Sequence, residues 1–81
     1  METSPADDLA LVMEAREAAR SGRGERLRVA AGISQGELAT AIGVTPAAIS
    51  RWEAGERRPR GVAAVAYARL LRSLAERMVA A

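Results

Sequence analysis

The side chains best placed to do chemistry in this 81-residue chain are arginines. All 12 basic residues are Arg, set against 10 acids, and the sequence contains neither His nor Cys. Disulfides, thiol chemistry, the usual zinc ligands and the commonest general base are therefore missing. A guanidinium offers something else: a rigid planar fork of donors that matches phosphate oxygens and the O6 and N7 edge of guanine. Arg51 stands among small residues, and Arg57, Arg58 and Arg60 follow it closely. This pattern suits recognition of a polyanion better than turnover of a substrate.

The other reactive groups do not assemble into a site. Asp7 and Asp8 are adjacent and read as helix-start charges, and no acid pair has a base or metal partner. Ser21, Ser34, Thr45 and Ser50 sit where caps or phosphate contacts account for them. Gly22 and Gly24 lack the lysine and hydroxyl that follow in a phosphate-cradling loop. The chain is read as not an enzyme, with no cofactor and no metal.

Charge is distributed unevenly. Residues 1–20 hold five acids and two arginines, residues 21–60 seven arginines and four glutamates, and residues 61–81 three arginines and one glutamate. A basic middle behind an acidic start suits a phosphate-facing surface. The apolar content is 49%, with 19 alanines and only Trp52 and Tyr67 as aromatics, which favours closely packed helices over a sheet sandwich. No apolar run approaches the ~18 residues of a membrane span, and no basic segment leads into an apolar one near Met1 and Glu2. The chain is expected to be neither exported nor membrane-spanning.

Helical punctuation explains how the arginines are held. Ser4-Pro5 with Asp7 and Asp8 starts a helix that runs to Arg20, with Leu9, Val12, Met13 and Ala19 at helical spacing. Ser21-Gly22-Arg23-Gly24 breaks it, and a second short helix from about Gly24 to Ala31 carries Leu27 inward and stops at Gly32. Ser34-Gln35-Gly36-Glu37 matches the capping box and starts a third, with Leu38, Ala39 and Ile42 on its apolar face. Gly43 and Val44 separate it from a fourth, opened by Thr45-Pro46 and carrying Ile49 and Trp52 as far as Ala54. Glu56 to Arg60 form a polar loop. The last helix spans about Gly61 to Val79, with Val62, Val65, Ala66, Leu70, Leu71, Leu74 and Met78 as its apolar positions. Ile49 and Trp52 turn inward, which leaves positions 46, 47, 50, 51 and 54 on the opposite face. Trp52 and Tyr67 read as core.

Two helices of this length joined by a glycine-led turn form a helix-turn-helix. Gly32-Ile33-Ser34-Gln35, Glu37-Leu38-Ala39, Ile42-Gly43-Val44, the run Ile49 to Gly55 and Arg57-Arg58-Pro59 together resemble the lambda-repressor-like, or Xre/Cro-type, family of DNA-binding regulators over about residues 23–74. The expected fold is all-α: a compact five-helix lambda-repressor-like domain with an additional N-terminal helix and a long C-terminal helix. Residues 1–22 are expected to be an acidic helical extension and residues 23–81 the DNA-binding domain, with the motif at 35–54 and the recognition helix at about 46–54.

The resemblance implies that this recognition helix enters the DNA major groove. Arg51 is then the first candidate for base readout, through paired bonds to guanine, with Ser50, the Ala47 methyl and Pro46 beside it. Several family members carry Gln at the position of Pro46, where it reads adenine, so that reader is missing here. Gln35 and Thr45 are expected on phosphates by analogy, and Arg57, Arg58 and Arg60 on the backbone past the helix, where they add affinity without sequence information. Arg23 and Arg26 are weaker candidates for the same role. The family also pairs an Arg placed as Arg28 is with a Glu placed as Glu53 is, which implies a structural ion pair.

The expected function is a Cro-like or repressor-type transcriptional regulator that occupies operator double-stranded DNA in a bacterial cytosol or phage-infected cell. Thin base readout favours a homodimer reading two half-sites about 34 Å apart, with Leu70, Leu71, Leu74, Met78 and Val79 as candidates for the seam. The alternative is an antitoxin or anti-regulator whose scaffold, or residues 1–20, grips a protein partner.

Overall fold

A computed structural model describes residues 4–80, and every regular element among them is an α-helix. Ser4 caps the first helix, α1 (Pro5–Ser21), by accepting the Asp7 amide, while the Asp7 carboxylate accepts the Ser4 amide. Gly22 ends it in the left-handed conformation and passes the chain to α2 (Arg23–Ala30). The next two helices are α3 (Gln35–Ile42) and α4 (Pro46–Glu53), and α5 (Gly61–Ala80) closes the fold. The acidic N-terminal helix is thus one of five. It makes its most extensive contacts with α5 and also meets α2 and α4.

One core joins all of these except the surface-lying α2. Leu11, Ala15, Ala18 and Ala19 of α1 are buried with Leu38, Ala39, Ile49 and Trp52 from the motif and with Ala64, Tyr67, Ala68, Leu71 and Leu74 from α5. From α2, Leu27 packs against the edge of this cluster and Gly24 is buried. The inward stripe of α1 differs from the one expected, because Leu9 and Met13 are 59% and 61% exposed. Its seat is built from alanines, and small side chains let two helix axes approach closely, so the larger residues lie off the seam. Val62 and Val79 of α5 are likewise exposed, whereas Leu71 and Leu74 are interior residues. Glu14 of α1 receives two hydrogen bonds from Arg72 of α5, at 2.9 and 2.6 Å, which fixes the helix pair at its rim. Among the described residues no helix is long and apolar enough to cross a membrane.

Candidate nucleic-acid interface

The turn between α3 and α4 is set by backbone geometry. Gly43 adopts φ 78° and ψ 33°, a left-handed conformation that costs a residue with a β-carbon about 1–2 kcal/mol, and its amide bonds back to the Ala39 carbonyl. The Val44 amide uses the same oxygen at 3.0 Å. Thr45 then caps α4, its hydroxyl oxygen accepting the Ala48 amide at 3.1 Å. That bond leaves the hydroxyl proton available to donate outward. At the start of α3 the Ser34 hydroxyl accepts the Glu37 amide at 3.0 Å, and the Glu37 carboxylate accepts the Ser34 amide at 2.9 Å.

Packing decides which face of α4 is free. Ile49 is fully buried and Trp52 is 4% exposed, with the Trp52 ring 5.1 Å from that of Tyr67 and tilted by 44°. Pro46, Ala47, Ser50, Arg51 and Ala54 are all exposed on the other side. The surface they form is low, with Arg51 as its one long side chain.

Behind this face lies a polar junction of three helices. Arg28 of α2 donates to both carboxylate oxygens of Glu53, at 2.7 and 2.9 Å, and from a second nitrogen to the Ile33 carbonyl at 2.8 Å. The Gln35 amide nitrogen donates to the same Glu53 carboxylate at 2.9 Å. Only 4% of the Glu53 side chain and 12% of that of Arg28 reach solvent. Burial pushes the Glu53 carboxyl up, but the hydrogen bonds from Arg28 and Gln35 and the Arg28 charge outweigh it and hold the group below its ordinary value. The Glu53 bond in turn raises Arg28. The residue expected on a phosphate, Gln35, therefore spends one of its two amide protons inside the protein. The visible signal was that a buried carboxylate carries more lone pairs than one arginine satisfies.

Nine of the 12 arginines fall into two groups, apart from Arg23 on α2 and Arg69 and Arg77 on α5. Arg16, Arg20, Arg26, Arg28 and Arg72 each bond within the chain: Arg20 pairs with Glu17, and Arg26 donates to the Ser21 carbonyl at 3.3 Å. Arg51, Arg57, Arg58 and Arg60 are exposed and have no side-chain partner among the described residues. All four lie on α4 or in the loop that follows it. Around this loop, Arg16, Ala19 and Arg20 of α1 face Trp52, Gly55, Glu56, Arg57 and Arg58 across a cleft of about 400 Å³. Among the described residues Glu56 is the one acid in its wall. Arg16, to which sequence reading assigns no role, donates its Nε hydrogen to the Pro59 carbonyl at 2.9 Å, 43 residues away.

Among the described residues no group of His, Cys, Asp or Glu is arranged to hold a metal. A sequence model described as helix-turn-helix matches residues 25–76, which span most of α2 through most of α5 and leave α1 out. No curated protein and no solved structure gives a significant match.

Proposed function

Since the chain belongs to the lambda-repressor-like, or Xre-type, helix-turn-helix family of DNA-binding regulators, we propose that it is a Cro-like or repressor-type protein that occupies operator DNA through α4. The observation that carries this reading is the set of four arginines, Arg51, Arg57, Arg58 and Arg60, left without internal partners beside a low helix face. On this reading Arg51 bonds guanine, Ser50 a base edge or phosphate, and Ala47 a thymine methyl. Pro46 lets the helix start lie close to the groove floor without adding a donor. Gln35, Thr45, Arg57, Arg58 and Arg60 take phosphates. Arg28 and Glu53 set the angle between the helices, and residues 23–81 act as the DNA-binding domain.

So few base contacts specify a short word, which supports a homodimer reading two half-sites. The proposed seam is the groove of about 500 Å³ between the end of α2 and the end of α5, lined by Ala30, Ala31, Ile33, Leu70, Leu74, Arg77 and Met78. Of the residues expected in the seam, Leu71 is buried against the core and drops out, Leu74 contributes only 7% exposure, and Val79 does not line the groove. One observation favours the alternative of a protein partner: exposed Leu9 and Met13 lie one turn apart on α1 beside Asp7 and Asp8.

Selection of bound sequences from a random duplex library, with affinity for the winner followed against salt, tests these readings together. A two-fold symmetric word with half-sites one turn apart and a steep salt slope supports the dimeric regulator. An asymmetric word indicates a monomer. No enriched word overturns operator binding, and protein capture that is lost on Leu9→Glu with Met13→Glu would then support the partner reading.

A further inference from the structure

Pro59 is fully buried although it sits in the run Arg57-Arg58-Pro59-Arg60, the most highly charged stretch of the chain. The loop from Ala54 to Arg60 has two anchors. At its start the Glu56 and Arg57 amides bond to the Arg51 carbonyl at 2.9 and 3.3 Å. At its end Pro59 is buried and its carbonyl accepts a hydrogen bond from Arg16, next to Arg60, whose carbonyl accepts the Ala64 amide of α5 at 3.3 Å. The Arg16 bond comes from α1, the one helix wholly outside the family match.

Arg16 is an unexpected donor for a purely structural bond. A neutral side chain would satisfy one carbonyl equally well, whereas a guanidinium adds a positive charge to a cleft wall that already holds Arg57, Arg58 and the Glu17-paired Arg20 against one carboxylate, Glu56. Like charges in one cleft repel, and a bound anion relieves the repulsion. The bond also removes freedom from the loop before any ligand arrives, and ordering cost met in advance appears as affinity. α1 is itself held firmly, by its buried alanines and by the Glu14 to Arg72 bridge on the side of α5.

From this geometry we infer that α1 is a working part of the DNA-binding device, with Arg16 as a positioning residue. By holding Pro59, it fixes the spacing of Arg57, Arg58 and Arg60 so that they meet successive backbone phosphates as a preformed set. This deepens the operator-binding reading and rests on it. It also gives the N-terminal helix a task that the matched segment cannot perform alone.

The test compares wild type with Arg16→Met, and with Arg72→Met as a control that frees the other side of α1. In the free protein, backbone ¹⁵N relaxation of residues 56–61 is expected to show a loosened loop in Arg16→Met and an unchanged one in Arg72→Met. For DNA, Arg16→Met is expected to weaken binding about ten-fold on all sequences alike, with a shallower salt slope and the same preferred word. In an Arg57→Ala, Arg58→Ala background the same change is expected to add almost nothing. A loop as ordered in Arg16→Met as in wild type overturns the inference. So does a full, additive loss in the double background, which would make Arg16 a direct contact. Failure of the wild-type protein to bind any duplex overturns the operator reading, while the relaxation data still decide whether Arg16 holds the loop.

Discussion

Tyr67 closes over Gly24: a β-carbon added at position 24 would overlap the Tyr67 hydroxyl and lie 3.1 Å from its Cζ. The hydroxyl is buried, has no hydrogen-bond partner among the described residues, and belongs to the ring that packs on Trp52. A glycine in α2 thus sets how closely that helix approaches the helix carrying Tyr67, and through Trp52 bears on the seat of α4.

Gly24→Ala is expected to destabilise the protein by about 1–3 kcal/mol through overpacking. Tyr67→Phe is expected to cost nothing or to stabilise by about 1 kcal/mol, because it removes an unsatisfied buried polar group. Combined, the two changes should destabilise less than Gly24→Ala alone. Urea unfolding of the four proteins measures all three, and a large loss for Tyr67→Phe would mean that the hydroxyl makes a stabilising hydrogen bond in solution.

Burial pushes the Tyr67 phenol up to about 12, from 10.0, with the Glu53 charge adding to the rise. A group raised on folding favours the folded state fully below its unfolded value, and that contribution is lost as pH climbs through the folded one. Stability should therefore fall between pH 10 and about 12. Thermal unfolding over this range should show a smaller fall in Tyr67→Phe.

At the acid end the sign reverses. Glu53, Glu14 and Glu37 are all held below 4.5: Glu53 by Arg28 and Gln35 against its burial, Glu14 by Arg72, and Glu37 by the Ser34 amide. A lowered carboxyl stabilises the fold above its unfolded value, and that contribution is lost as pH falls from about 4.5 through the folded values. Denaturant midpoints should drop across this window, and Glu53→Gln should flatten the drop while lowering stability at neutral pH.

Removing one partner of the Arg28 and Glu53 pair leaves the other charge almost buried, a change that typically costs about 3–5 kcal/mol. Arg28→Met is expected in that range. Because Glu53 would keep only its Gln35 bond, the ends of α3 and α4 should also show faster amide exchange. Exchange that stays at the wild-type rate would mean that apolar packing alone sets the angle of the motif.

At the proposed interface two substitutions separate reading from holding. Arg51→Ala should relax preference at one base pair and cost about 1–3 kcal/mol on the best site. Arg57→Ala should weaken all duplexes alike and lower the salt slope by about one. Equal losses on every sequence for Arg51→Ala would remove it as a base reader.

Local signals in the sequence carried far. Ser4, Ser34, Thr45 and Gly43 each announce a helix boundary through chemistry confined to a few neighbours, and each boundary is where that chemistry puts it. The seat of α1 was less legible, because hydropathy favours Leu9 and Met13 whereas the seam depends on the small volume of Ala15, Ala18 and Ala19. Contacts between distant segments were hidden altogether. Nothing around Arg16 says that its donor will meet a carbonyl beyond α4, and nothing near Gly24 mentions a ring on α5. Such contacts follow only once the helices have been packed.

The alanine seat of α1 also defines which piece of this chain could be transplanted. A fragment cut to residues 25–76 would remove Leu11, Ala15, Ala18 and Ala19 from the core they share with α4 and α5 and leave Pro59 without its donor. If Arg16 positions the loop as inferred, recognition residues swapped between such proteins keep their register only when the N-terminal helix travels with them. Here the evolutionary module recognised by sequence is smaller than the mechanical one.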